Sequence, residues 1–196
     1  MSVETRSQSE ALASDLRDMW DQLEAIRRDA KALVSGLRPD QLAWRPAPDR
    51  WSIAECLDHL TRMAEAVMPS IDAGIANARA RGWLRRGPYR PGPLQRWMLR
   101  GTEPPPKVRV RVKESLGPTA GRAPEECVAR FFTAQDEIQL RLASSSDLDL
   151  KRIKIPSPVV SWIRYPLGFA FLFLLAHERR HLWQAWQVRR DPGFPG

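Results

Sequence analysis

Histidine and cysteine are scarce: the 196 residues hold three histidines and two cysteines. Cys56 and Cys127 form no metal or redox spacing and stand among apolar neighbours. That argues against a disulfide framework and predicts two buried thiols in a reducing compartment. Long hydrophobic runs are also missing. The longest apolar stretch, residues 165–176, spans twelve residues, with Arg164 before it and Glu178, Arg179 and Arg180 after it. A membrane span needs about 20 apolar residues, so no transmembrane segment is expected and this stretch is read as a buried helix. The opening MSVETRSQSEALASD lacks a basic start followed by an apolar run. No secretory signal is read there, and the chain is expected to be cytoplasmic.

Acidic residues are rare in one segment only. Residues 79–113 hold eleven Lys or Arg and a single acid, Glu103, a balance of +10. The rest of the chain has twenty basic and twenty-two acidic residues, a balance of −2, which together give the net charge of +8. The excess charge therefore belongs to a segment and not to the fold. Trp83, Tyr89 and Trp97 are interspersed in it. Such a region could bind nucleic acid or an anionic surface, although it carries no nucleic-acid motif. The expectation is a solvated loop, or one that covers a pocket and attracts an acidic substrate, with nucleic acid as the alternative partner.

What the sequence does contain is helical periodicity. Leu12, Leu16, Met19, Leu23, Ile26, Leu33 and Leu37 recur in steps dominated by three and four, predicting a helix across residues 9–37 that Gly36 and Pro39 stop. Ser52 and Glu55 form an S-x-x-E capping box that opens a second helix. In it Ile53, Cys56, Leu57, Leu60, Met63, Ala64 and Val67 mark the buried face, and Pro69 kinks or ends it. Residues 82–123, rich in Pro, Gly and Arg, read as a long excursion with one small helix around residues 94–99. Within it KVRVRVK alternates in the manner of a strand. A third helix begins at APEEC, and Val128, Phe131, Phe132, Gln135, Ile138 and Leu142 form its stripe. SSSDLDLKRIKIPSP reads as loop, and a last helix runs from about Pro166 to Arg190. The prediction is an all-α fold: a four-helix bundle with a long basic Pro/Gly-rich connection between helices two and three, in one domain over residues 1–196. The connections from helix one to two and from two to three leave room for a crossover.

His177 and His181 lie four apart on the last helix, so their imidazoles share a face and can reach one ion. His59, between Cys56 and Met63 on the second helix, borders an apolar face as well. All three histidines are expected to point inward. A buried imidazole needs a partner, and one shared divalent metal supplies it for all three. Zn, Ni, Fe and Mn are the candidates, Zn first. AHERRHLWQ also spells the H-E-x-x-H of zinc proteases, but the fifteen residues after His181 contain no His or Glu to complete such a site.

The pieces AWRPAPDRWSIAECLDHL, HERRHLWQ and VRRDPGFP, with the helix order, resemble the DinB/YfiT superfamily of small bacterial proteins. The resemblance spans nearly the whole chain, though residues 82–123 match nothing specific. It implies a four-helix bundle with His59, His177 and His181 as metal ligands, Gln184 as the motif's trailing glutamine, and a homodimer. It also implies activities such as bacillithiol- or mycothiol-dependent S-transfer, maleylpyruvate isomerisation or metal-dependent hydrolysis. Three protein ligands leave at least one metal position open, the pattern of a catalytic site. That position could hold water, whose pKa falls toward ~7 on Zn²⁺, or a low-molecular-weight thiol co-substrate, which the metal deprotonates. The expected function is therefore a metal-dependent thiol S-transferase or hydrolase acting on a small molecule, and a metal-binding bundle without catalysis is the alternative. Glu178 is the candidate base, with a surface ion pair as its competing role. Gln184 is a candidate to orient a ligand or water from behind the histidines. Glu55 and Gln135 are weaker candidates for the site. Trp51 is expected to staple the second helix, and Trp183 and Trp186 to flank the histidine face, packing there or walling a pocket or a dimer interface.

Overall fold

The apolar steps predicted along the chain do become helices. The computed structural model describes residues 12–106, 114–158, 160 and 162–196. KVRVRVK, residues 107–113, lies outside the described residues, as do residues 9–11 of the expected first helix. Helix α1 covers Ser14–Val34 and buries Leu16, Met19, Leu23, Ile26, Ala30 and Leu33. The short α2, Pro39–Ala43, occupies a stretch read from sequence as plain connection. Helix α3 runs over Ile53–Ala80 behind the expected capping box. Ser52 Oγ accepts from the Glu55 amide at 3.2 Å, and the Ser52 amide donates to Glu55 Oε2 at 2.9 Å. Pro69 does not end α3. It sits on the exposed face with Glu65, so the carbonyl that a proline cannot serve is left on the solvent side.

Helix α4, Pro93–Thr102, contains the small helix expected around residues 94–99 and extends it slightly, and a 3₁₀ turn follows at Glu114–Leu116. Helix α5 spans Pro124–Ser144, and α6 spans Leu167–Arg189. Between them the segment read as loop contains a small antiparallel hairpin. Its strands are β1, Lys154–Pro156, and β2, Arg164–Pro166, with Ile155 opposite Tyr165.

Helices α1, α3, α5 and α6 form the bundle. Helix α3 packs on α5 and α6, and α1 packs on those same two. Helix α1 is therefore diagonal to α3, and α5 to α6. One crossover runs through α2, as expected. The other runs through the β1–β2 hairpin and not through the basic connection, which joins the neighbours α3 and α5. This corrects the sequence expectation: length of connection does not measure distance crossed. The hairpin is seated where Gly74 of α3 makes room, since a Cβ there would meet Ile153 Cγ2 at 2.9 Å.

Gly168, in the first turn of α6, lies under the ring of Tyr89. An added Cβ would meet Tyr89 Cδ2 at 2.8 Å, and Cγ closer still. Tyr89 is itself tied down, its amide donating to Asp15 Oδ2 at 2.7 Å. Gly168→Ala is expected to lower stability by about 1–3 kcal/mol through overpacking, read as a fall in melting temperature of roughly 2–4 °C per kcal/mol.

Candidate metal centre

The capping box fixes the start of α3, and the first two turns then place His59 on the buried side of the bundle. His59 is fully buried, His181 nearly so, and His177 half-buried. One candidate ligand nitrogen from each ring lies within 4.8 Å of the others. The ring centroids of His59 and His181, and of His177 and His181, are 4.6 Å apart, and those of His59 and His177 are 5.0 Å apart. The i, i+4 spacing on α6 and the facing position on α3 thus meet as expected.

The tautomer of His59 follows from its partner. Its Nδ1 lies 2.6 Å from the carbonyl of Leu116, which only accepts, so Nδ1 carries the hydrogen. Nε2 is then a bare lone pair. It faces Nε2 of His177 at 3.3 Å. Tetrahedral bonds of about 2.0–2.1 Å from imidazoles to a metal place two ligand nitrogens about 3.3–3.4 Å apart. The residues present therefore fit a divalent ion.

Protonation is also arranged for ligation. Burial holds His177 down to about 3, helped by His59 and Arg180. Burial lowers His181 well below the usual imidazole range, and His177, His59 and Arg180 add to this. Burial lowers His59 too, against the opposing effect of the Leu116 carbonyl. The three rings are held neutral, which is the ligand form.

The Leu116 carbonyl is delivered by a strap, residues 115–122, fastened to α3 on either side of His59. Asp58 Oδ2 accepts from the Thr119 amide at 2.6 Å, and Asp58 pairs with Arg122. Arg62 donates to the Ser115 carbonyl at 2.7 Å and to Thr119 Oγ1 at 3.1 Å. Asp58 is buried. Neither Asp58 nor Arg62 was singled out from sequence. They flank His59 by one and three positions, but their partners lie more than fifty residues away in a stretch without a motif.

The walls are aromatic. Trp51 stacks on His181 with centroids 5.7 Å apart and 29° between planes, and lies 5.0 Å from His59. Phe173 stacks on His177 at 6.1 Å and 15°. Trp51, expected as a staple for α3, covers the histidine rings. Trp183 and Trp186 line a cleft of about 490 Å³ with Gln22, Ile26 and Asp29 of α1, the pocket-walling role that is one of their expected uses.

Glu178 is not at the surface. It is fully buried, and its Oε1 accepts from Gln135 Nε2 at 2.8 Å across the bundle diagonal. The surface ion pair considered for it is thereby replaced by a core contact. Burial pushes its carboxyl up to about 7, with Gln135 and Arg179 acting against that rise. Gln135 bonds Glu178, and among the described His, Cys, Asp and Glu residues the candidate ligand cluster is the three histidines alone. Glu55 bonds Ser52 and Arg45 and not the His59 ring. Gln184 is half-buried, and its side chain is the one group that favours the charged form of His181. Cys56 and Cys127 are buried free thiols, as expected. Burial raises both, Cys127 to about 11.

Fold and site together define a helix bundle with a three-histidine cluster between two of its helices. The sequence profile of the DinB superfamily matches residues 22–185, and the chain belongs to that superfamily. Among solved structures it is similar to YfiT from Bacillus subtilis, with 16% identity, a TM-score of 0.59, and coverage of 95% of this chain and 93% of that one. That protein is described as a probable metal-dependent hydrolase with an unusual four-helix bundle topology. At this identity the likeness is one of fold. No curated protein matches the chain.

Proposed function

We propose that this chain is a metal-dependent enzyme acting on a small molecule, with His59, His177 and His181 holding one divalent ion. The observation that carries the reading is the convergence of three neutral, inward imidazoles, two of them with Nε2 atoms 3.3 Å apart. A divalent ion held by three protein ligands supplies Lewis acidity and an open position at which a small nucleophile becomes more acidic. The chain's own residues do the rest. The Leu116 carbonyl fixes the direction of His59, while Trp51 and Phe173 restrict the space over the rings and lower the local polarity. Gln184 stands beside His181 as a candidate to orient the incoming group.

Hydrolysis is the first reading, supported by the description of YfiT, and Glu178 is its candidate base. Transfer of a low-molecular-weight thiol to an electrophile is the second. It is favoured by the bond that engages Glu178 with Gln135 in the core, since no carboxylate among the described residues joins the ligand cluster. Zinc is the first candidate metal, followed by Ni, Fe and Mn. A homodimer in a bacterial cytoplasm is part of the proposal.

The test is a panel of ester and amide substrates, and of thiols with electrophiles, run on metal-loaded wild type and on chelated protein. A metal-dependent turnover in either half that chelation removes and metal restores is the expected result. Turnover unchanged by chelation, or no turnover from a fully loaded protein across both halves, contradicts it.

A further inference from the structure

Helix α4 is mounted by one face and leaves the other bare. On the inner side Gln95 Oε1 accepts from the Tyr89 hydroxyl at 2.8 Å and from the Gly92 amide at 2.9 Å. Leu99 packs on the core, and Glu103, just past the helix, pairs with Arg179 of α6. On the outer side Leu94, Trp97 and Met98 are 68%, 67% and 39% exposed. They stand at i, i+3 and i+4, so they form one continuous apolar strip. Arg100 stands one turn after Trp97 on the same helix, Arg96 is on α4 as well, and Arg86 and Arg90 lie in the segment leading to it; all four are exposed, and among the described residues none of them pairs with a carboxylate. No acid occurs between residues 79 and 102.

We propose that this face of α4 docks on an anionic lipid bilayer, with Leu94, Trp97 and Met98 entering the headgroup boundary and the four arginines meeting lipid phosphates and carboxylates. A short amphipathic helix with a cationic rim and a central tryptophan has the composition that settles in that boundary. The rigid inner mounting means that the strip is presented ready-made. Charge decides against the other occupants. Two copies meeting through α4 would bring eight unpaired guanidiniums together. A nucleic acid would engage the arginines but would find, among residues 79–106, one exposed aromatic for stacking, Trp97. Trp83 is already covered by Arg152, 4.5 Å from its ring centroid, and by Arg81 at 5.5 Å, and Tyr89 is buried. Leu94 and Met98 would gain nothing from phosphates. The proposal does not depend on the metal.

The experiment is co-sedimentation of the full-length, metal-loaded chain with vesicles of phosphatidylcholine alone or mixed with phosphatidylserine. It is run beside light scattering for oligomeric state and titration of a single-stranded oligonucleotide. Binding to the mixed vesicles is expected, weaker at high salt and about tenfold or more weaker on phosphatidylcholine alone. A Leu94→Ser, Trp97→Ser, Met98→Ser triple variant should lose roughly tenfold or more. Arg96→Glu with Arg100→Glu should do the same, since each basic side chain at such a surface is worth roughly fivefold. Metal content and circular dichroism should not change, because every altered side chain is exposed. Absence of binding to mixed vesicles overturns the proposal, as does binding that neither variant weakens. So does a wild-type dimer that the triple variant converts to monomer while vesicles go unbound, which assigns the face to a second copy. Oligonucleotide binding without vesicle binding assigns it to nucleic acid.

Discussion

His59→Ala should leave the purified chain almost free of metal, where the wild type is expected to carry about one divalent ion per chain. Structural zinc sites of four ligands have apparent binding free energies of about 10–16 kcal/mol, or about 2.5–4 kcal/mol per ligand, so losing one of three should weaken binding roughly 10²- to 10³-fold. His59 is the informative ligand because it alone comes from α3. His177 and His181 stay together on α6 whatever happens elsewhere. Elemental analysis after reconstitution and dialysis reads the result. The same experiment should show unchanged helicity, since the core residues that hold α3, such as Leu57, Leu60 and Ile71, are untouched. A variant that keeps its full metal complement contradicts the assignment.

The second large effect is expected one residue earlier. Asp58→Asn removes the charge that holds Arg122 and weakens the grip on the Thr119 amide, without altering any histidine. The strap that carries the Leu116 carbonyl then loosens, and His59 loses the partner that fixes its Nδ1 hydrogen. Outer partners of this kind change metal affinity about 10–100-fold. Breaking a buried ion pair costs about 3 kcal/mol, at the low end of its range because Arg122 is partly exposed. Competition against a chromogenic chelator separates the two consequences. Weaker metal binding at unchanged stoichiometry is the expected outcome, and a variant with wild-type affinity shows that the strap does not act on the histidine.

The helices and the histidines were legible because both follow local rules. Steps of three and four placed α1, α3, α5 and α6. A capping box fixed one end of α3, and the i, i+4 spacing put two imidazoles on one face. What the sequence did not disclose depends on pairings over long separations. The Leu116 carbonyl and Asp58–Arg122 join residues 57 and 64 positions apart. The Gln135–Glu178 bond crosses the bundle diagonal, which cannot be known before the helix order around the bundle is known. Glu178 illustrates the point: flanked by His177 and Arg179, it reads as a base or a surface partner, yet the helix turns it into the core. Trp51 looked like a staple because the cap beside it is local, whereas the His181 ring it covers belongs to another helix. The hairpin was missed because its three-residue strands are too short to show alternation, and its seat depends on Gly74 of a distant helix.

The central claim is that three histidines from two helices hold one ion. X-ray absorption at the metal edge of the loaded wild-type protein tests it most directly. Three imidazole nitrogens in the first coordination shell, falling to two in whatever metal His59→Ala retains, is the expected result. A shell with one imidazole or none, or one dominated by carboxylate oxygen or sulfur, would contradict it.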